Sequence, residues 1–240
     1  MGSEELRGTE FRFLSAPETW VATNLADGVA SDAVRGLPVR AFPTYRGQRN
    51  YPGWLWLSTT CSLVGYESLL ERDWLWLADF DPAVTWVASQ PFWVSGRDGS
   101  VLRRHVPDFL LETAAGFVVV DVKPAELVDD VDVAAVMGWT RRLCDAKGWA
   151  YEVWSGADPV LLRNIRFLAA ARRHTLVGQD VLGKVADAAR PGMTLAQVEA
   201  AAGLGGDRAR AASLHYLWSR RWQVDLSYPL TGSSVLEAVA

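Results

Sequence analysis

The sequence predicts an α/β fold in which a mixed β-sheet is flanked by helices. A helical spacing of apolar residues begins near Tyr66 and ends at Asp81 and Pro82. Strand-like runs joined by short turns follow it, and a second helical spacing then precedes a last short strand. The order helix, three or more strands, helix and strand differs from the strict alternation of a doubly wound sheet.

The elements of this first region follow in chain order. Residues 1–60 contain scattered Pro and Gly, for which we expect irregular structure with short strands. The first helix places its apolar residues at helical spacing, at Leu69, Leu70, Trp74, Leu77 and Ala78. The run AVTWVASQPFWV predicts a strand broken or bulged at Pro91, and the GRDGS turn joins it to a second strand in a hairpin.

Two further strands are predicted at about 104–112 and 116–122, joined by the short turn TAAG. The run VDVAAVMGWTRRLCDAKGW has helical spacing and ends at Gly148, a typical helix-terminating residue. The segment AYEVWS is then the final strand of the predicted sheet.

The chain changes character at about residue 176. A short capped helix, a Gly turn, a second helix carrying arginines and a strand pair follow one another. This order is typical of a helix-turn-helix with a wing. We therefore expect two domains, residues 1–175 and a small winged-helix-like region over 176–240.

Composition limits the functions open to this chain. Half of its 240 residues are hydrophobic, as in ordered globular proteins, and the net charge of −4 excludes nonspecific coating of nucleic acid. Any DNA contact must be local. Cys61 and Cys144 lack metal-ligand spacing, so we expect reduced core thiols. With no signal pattern and no apolar run of about 20 residues, we expect a cytoplasmic protein without a membrane partner.

Two acids and a lysine interrupt the apolar strands of the TAAG hairpin. Asp121 and Lys123 are two positions apart and project to one face of their strand, whereas Val120 and Val122 project to the other. Asp108 follows Pro107, and the hairpin brings it alongside Asp121. An aspartate and a lysine two positions apart are common on solvent-facing strands. Lysine, however, occurs at only three positions in this chain, which favours a role for Lys123.

Neighbouring carboxylates repel each other unless a cation or a raised pKa relieves them. Magnesium takes one or two carboxylates together with waters and phosphate oxygens, as a phosphodiester-cleaving site requires. A nearby lysine can orient the attacking water or stabilise the developing charge. Glu67 or Glu71 offers a third carboxylate, since the two are four residues apart on the predicted helix, although either is equally compatible with a solvated surface.

Several stretches together resemble a known family: YESLLERDWLWLADFDPAV, SQP, RRHVPDFLLE, VVVDVKP and RRLCDAKGWAYEVWS. They are similar to the TnsA-like endonuclease subunits of heteromeric transposases, within the PD-(D/E)xK, restriction-endonuclease-like superfamily. The resemblance covers about residues 38–175. It implies a restriction-endonuclease-like fold and a metal-dependent endonuclease that cuts double-stranded DNA at transposon ends. It also implies two partners, an integrase-type transposase and an ATPase regulator.

Carried over to this chain, the resemblance gives the catalytic positions Glu71, Asp108, Asp121 and Lys123. We expect Asp108 and Asp121 to bind Mg²⁺, for which Mn²⁺ substitutes, with the Val122 carbonyl as a third ligand. Glu71 would bind a second metal or an ordered water, and Lys123 would position the nucleophilic water.

Candidate DNA contacts, each also compatible with a structural or solvated role, are Gln90 of the Q-P element, His105, Arg46, Arg49, Arg141 and Arg142. Two rival functions stay open. One is a restriction, defence or repair nuclease of the same fold, and the other is a non-catalytic DNA-binding or assembly protein.

Overall fold

Two four-stranded β-sheets, a separate β-hairpin and their helices lie in the described part of Met1–Gly156, the larger of the two units into which the chain divides. The computed structural model describes residues 8–24, 27, 29–42, 47–48 and 50–239. Within these ranges no helix combines the length and apolar character that a membrane span needs. The smaller unit is Ala157–Ala240.

The first sheet is antiparallel and has the order β2-β1-β6-β7. Its strands are β1 (Glu10–Ser15), β2 (Thr19–Asn24), β6 (Trp93–Asp98) and β7 (Val101–His105). A short helix, α1 (Ala30–Ala33), follows β2. The short strands expected within residues 1–60 are thus present, and two of them belong to this regular sheet.

The second sheet is mixed and has the order β10-β9-β8-β5. Its strands are β5 (Val84–Ser89), β8 (Phe109–Thr113), β9 (Gly116–Val122) and β10 (Ala150–Trp154). Strand β9 pairs parallel with β10 and antiparallel with β8, so the predicted mixed sheet is confirmed. A separate hairpin consists of β3 (Gly53–Leu57) and β4 (Ser62–Tyr66).

Two helices cover opposite faces of the mixed sheet, as its alternating apolar residues require. Helix α2 (Leu69–Phe80) packs against the face formed by Phe109, Val120 and Val122. Helix α3 (Val131–Lys147) and the first sheet pack against the face that carries Leu110 and Val119. Both helices were predicted. Ser68 caps the start of α2, and α3 ends at Gly148 in the left-handed conformation.

The predicted strand at about 104–112 is wrong in one respect, because the chain leaves one sheet and enters the other within it. Strand β7 ends at His105 and β8 begins at Phe109, with Pro107 between them. The predicted break at Pro91 likewise separates β5 from β6, which lie in different sheets. Proline lacks the N–H that a ladder bond needs, so both prolines mark transfers between sheets.

Over its described residues, 157–239, the smaller unit contains four α-helices and a short strand pair. The helices are α4 (Pro159–Leu168), α5 (Gln179–Ala188), α6 (Leu195–Ala201) and α7 (Gly206–Trp218), and the strands are β11 (Trp222–Gln223) and β12 (Ala238–Val239). The capped helix, the arginine-bearing helix and the strand pair were predicted. Helix α4 was not, and because it packs on α7 this unit begins at Ala157 instead of near residue 176.

The two cysteines differ in environment. Cys144 lies on the buried side of α3, as expected of a core thiol, and burial raises its pKa to about 12. Cys61 is exposed, contrary to expectation, because it lies in the turn between β3 and β4.

Two glycines of α3 should respond oppositely to alanine. Gly148→Ala is expected to lower the free energy of unfolding by about 1 kcal/mol, because φ is +68° there and a Cβ is strained. Gly138→Ala is expected to raise it by about 0.5–1 kcal/mol, since this glycine lies inside the helix and a Cβ meets Arg142 at an ordinary 3.6 Å. Urea unfolding of both variants tests the assignment, and equal effects would contradict it.

Candidate active site

A cleft of about 500 Å³ lies where β7, β8 and β9 approach one another. One wall is apolar and comes partly from α3, through Val133, Val136 and Met137. The remaining lining is mostly charged and includes Arg40, Glu67, Glu71, Arg104, His105, Asp108, Lys123 and Asp132. Three of the four predicted catalytic residues therefore open on one cleft.

Asp108 lies between a backbone donor and a lysine. Phe109 pairs with Val120 across the hairpin, which places Asp108 beside the end of β9. Its Oδ2 accepts hydrogen bonds from the Val122 N–H at 2.7 Å and from Lys123 Nζ at 3.3 Å. Burial raises the pKa of Asp108, the Lys123 charge opposes this rise, and the neighbouring charge of Asp121 adds to it. Asp108 thus lies alongside Asp121, as the TAAG hairpin predicts.

Asp121 is fully buried behind the cleft. His105 Nε2 lies 2.9 Å from both carboxylate oxygens, and the Tyr151 hydroxyl donates to Oδ2 at 2.5 Å. Burial alone would raise the pKa of Asp121, but the charge and hydrogen bond of His105, together with Tyr151, lower it. Asp121 therefore stays ionised, and its partners come from β7 and β10, one strand from each sheet.

Glu71 occupies the first turn of α2 and is buried. Its Oε2 accepts from the Glu67 N–H at 2.7 Å, and its Oε1 accepts from Ser68 Oγ at 2.9 Å. Burial, and then the charge of Asp108, raise the pKa of Glu71 from 4.5 to about 7. Glu67 precedes the helix and pairs with Arg40 at 3.2 Å, so the two glutamates do not share a helical face as expected.

Lys123 is held as a cation. Burial lowers its pKa, but the charges of Asp108 and Asp121 outweigh burial and raise it overall. A lysine with a raised pKa does not accept a proton from water near neutral pH. Lys123 can therefore position a nucleophile or neutralise developing charge, whereas proton removal falls to a carboxylate.

Gln90 does not have the DNA contact predicted for it, because it is only 2 % exposed. Its backbone is in the left-handed region at φ 44°. The N–H donates to the Asp108 carbonyl at 2.8 Å, and its carbonyl accepts from the Val39 N–H at 3.0 Å. Gln90 therefore holds the backbone of Asp108 in place from inside the protein.

The other predicted DNA contacts are mostly engaged within the protein. His105 binds Asp121, Arg141 lies over the Tyr151 ring and donates to its carbonyl, and Arg142 pairs with Asp98 at 2.6 Å. Arg46 and Arg49 lie outside the described residues.

Among the charged and hydrogen-bonding residues at or beside the site, those not predicted from the sequence include Arg40, Arg104, Asp132 and Tyr151. Arg104 belongs to the RRH run that precedes Val106 and Pro107, and this run was a signal available in the sequence.

The donor set suits a hard divalent cation in part. Asp108 and Glu71 both reach the cleft with raised pKa values, and within the described chain Asp108 Oδ1 accepts no hydrogen bond. A cation would relieve this crowding, and Mg²⁺ binds through one or two carboxylates plus waters. However, no group of three or more His, Cys, Asp or Glu side chains among the described residues is arranged to hold a metal ion.

Two expected ligands have other contacts. Asp121, expected as a direct ligand, is enclosed by His105 and Tyr151. The Val122 N–H, and not the carbonyl expected as a ligand, contacts Asp108. Asp108 and Glu71 are therefore the two carboxylates of this cleft that could hold a cation.

No protein-family model matches this chain, and no curated protein matches it either. A function for it therefore depends on the chemistry of its own residues.

Removing the charge of Glu71 should stabilise the metal-free protein in a pH-dependent way. The pKa of Glu71 is about 7 in the folded protein and 4.5 without the fold. Ionisation of Glu71 therefore begins to destabilise the folded protein above about pH 4.5, and the full destabilisation is present above about pH 7. Since one pKa unit corresponds to about 1.4 kcal/mol, Glu71→Gln is expected to add about 1–3 kcal/mol at about pH 8 and almost nothing at about pH 4.

Urea unfolding in a chelating buffer at both pH values measures this difference. Glu126→Gln is the matched control, because Glu126 is exposed and its charge therefore contributes little to stability at either pH. An equal gain for Glu71→Gln at both pH values would show that Glu71 is not a strained buried carboxylate.

Proposed function

We propose that this chain is a metal-dependent DNA endonuclease that hydrolyses phosphodiester bonds. The observation that carries the proposal is the position of Asp108. It is held by the Val122 N–H and by Lys123, and it faces the same cleft as Glu71. Buried acids with raised pKa values beside a protonated lysine are typical of functional sites and not of solvated surfaces.

The arrangement of the mixed sheet supports a restriction-endonuclease-like fold. Helix α2 precedes three antiparallel strands, β5, β8 and β9, and helix α3 leads to β10, which is parallel to β9. The candidate residues lie on α2 and at the adjoining ends of β8 and β9. One edge of the sheet therefore gathers residues that are far apart in sequence.

Asp108 and Glu71 would hold Mg²⁺, or Mn²⁺ in its place, and the ion would supply an activated water and neutralise charge on the phosphate. Without the ion the pKa of Glu71 is about 7, so an ion that binds near neutral pH would displace a proton from this carboxyl group. Lys123 remains protonated and positions the water or the scissile phosphate. Asp121 acts through its neighbours, because it fixes His105 and Tyr151 behind the site.

The cellular role that we propose follows from the sequence stretches similar to TnsA-like subunits. The chain would cut double-stranded DNA at transposon ends, beside an integrase-type transposase that cuts the other strand. The unit Ala157–Ala240, with its helices and short strand pair, would dock a partner such as an ATPase regulator.

Replacing the central acid should abolish cleavage while preserving the fold. Asp108→Asn retains an oxygen that can accept the Val122 N–H but removes the negative charge. We expect cleavage of supercoiled plasmid in Mg²⁺ to fall on the order of 10²–10³-fold. Glu126→Gln is the control, because Glu126 is exposed and does not line the cleft, and cleavage should stay within about twofold.

Metal binding provides a readout that does not need catalytic turnover. Electron paramagnetic resonance of Mn²⁺ should show about tenfold weaker binding for Asp108→Asn and for Glu71→Gln, since each variant lacks one of the two carboxylates at the cleft. Glu126→Gln, at an exposed position outside the cleft, should bind Mn²⁺ like the unaltered protein. Full cleavage by Asp108→Asn, or unchanged Mn²⁺ affinity in both site variants, would rule out the assignment.

A further inference from the structure

The side of the first sheet that faces away from its core carries two tryptophans and two arginines. Phe11 and Phe13 of β1 point into the core, so Arg12 points outward. Directly paired residues of antiparallel strands share a face. Arg12 pairs with Trp93, Leu14 with Trp20, and Ser95 with Arg104. We call this surface the outer face, defined by Arg12, Trp20, Trp93 and Arg104.

The outer face is concave and continues into the catalytic cleft. A groove of about 400 Å³ is lined by all four of its defining residues. Trp93 and Arg104 also line the cleft that contains Asp108 and Lys123. Trp20, at the far end, is 49 % exposed. A ligand lying in this groove therefore reaches the acids without leaving the protein surface.

Charge on this surface contrasts with that of the whole chain. The chain carries a net charge of −4, whereas the groove and its junction with the cleft present Arg12, Arg40 and Arg104 against Glu10 and Glu67, which pair with Arg12 and Arg40. Each tryptophan also has an arginine beside it. The Arg12 guanidinium lies 5.6 Å from the centre of the Trp20 ring, and that of Arg40 lies 5.9 Å from the centre of the Trp93 ring.

Aromatic rings interleaved with arginines match the chemistry of unpaired nucleotides. Bases stack on tryptophan faces, and guanidinium groups bind the phosphates between them. In duplex DNA the bases are already stacked inside the helix, so exposed indole rings gain little from it. Trp20 and Trp93 lie on either side of β1 and are offset by two residues along it, so their backbones are about 12 Å apart. That separation suits successive contacts along one extended strand.

We propose that the outer face binds a single-stranded segment of nucleic acid and leads it into the cleft. For cleavage, this binding would make a junction between single- and double-stranded DNA the preferred substrate. That consequence rests on the proposed nuclease function. Binding itself does not depend on catalysis. It can therefore be measured with the metal removed.

The experiment measures fluorescence anisotropy of labelled DNA in EDTA. The probes are an oligothymidine of about 15 nucleotides, near the upper site size of single-strand binding folds, and a blunt duplex of equal length. The variants are Trp20→Ala, Trp93→Ala and Arg104→Ala. Trp54→Ala is the matched control, because Trp54 is 54 % exposed but lies on β3, away from the groove.

The oligothymidine is expected to bind more tightly than the duplex. Trp20→Ala and Trp93→Ala should each weaken it about 5- to 100-fold, the loss expected for one stacked base. Trp20→Phe should retain most of the affinity, since an aromatic face remains. Arg104→Ala should reduce the slope of log affinity against log salt by about 0.7, the value for one phosphate contact to a single strand. Trp54→Ala should have no effect.

Other outcomes would overturn the inference. Equal or tighter binding of the duplex, or full affinity in Trp20→Ala, removes the single-strand site. The nuclease proposal then survives if Asp108→Asn still stops cleavage. A change of sedimentation in Trp20→Ala without a change in DNA affinity would assign the face to contact between copies of this chain. Single-strand binding without any metal-dependent cleavage would instead keep this inference and remove the proposed nuclease.

Discussion

The buried carboxylate of Asp121 is the interaction on which the arrangement of the larger unit depends. It is ionised and fully buried, so it needs donors, and these come from His105 on β7 and Tyr151 on β10. Leaving a buried charge without its partner costs about 3–5 kcal/mol. The pairing therefore fixes the first sheet against the mixed sheet. Because Arg104 precedes His105 and projects to the opposite side, the same contact fixes the outer face relative to the cleft.

Asp108 owes its position to two places where the chain passes between sheets. Pro91 and Pro107 interrupt the ladders, and the backbone of Gln90, in a left-handed conformation, binds the carbonyl of Asp108 across the gap between them. The side chain of Asp108 then meets the N–H of Val122 at the end of β9. A buried acid held through both backbone and side chain has little freedom. A catalytic group benefits from this rigidity, since precise placement contributes to rate.

Three neighbouring carboxylates have different proton affinities because their donors differ. The pKa of Asp121 is lowered by His105 and Tyr151, whereas that of Asp108 is raised by burial despite Lys123. Glu71 has only two neutral donors and lies near the charge of Asp108, so its pKa rises to about 7. The site therefore combines one carboxylate that stays ionised, Asp121, with two acids that can exchange protons or bind a cation, Asp108 and Glu71. Environment, not residue type, separates these roles.

The sequence by itself determined the elements and contacts that arise between near neighbours: helices α2 and α3, the turn at 113–116, and Asp108 beside Asp121. Periodicity and turn residues encode these locally. Only the tertiary structure decided which strands share a sheet, why Gln90 is buried, and that His105 and Tyr151 enclose Asp121. Those partners lie 16 and 30 residues from Asp121. Their choice depends on how two sheets pack, which no local pattern specifies.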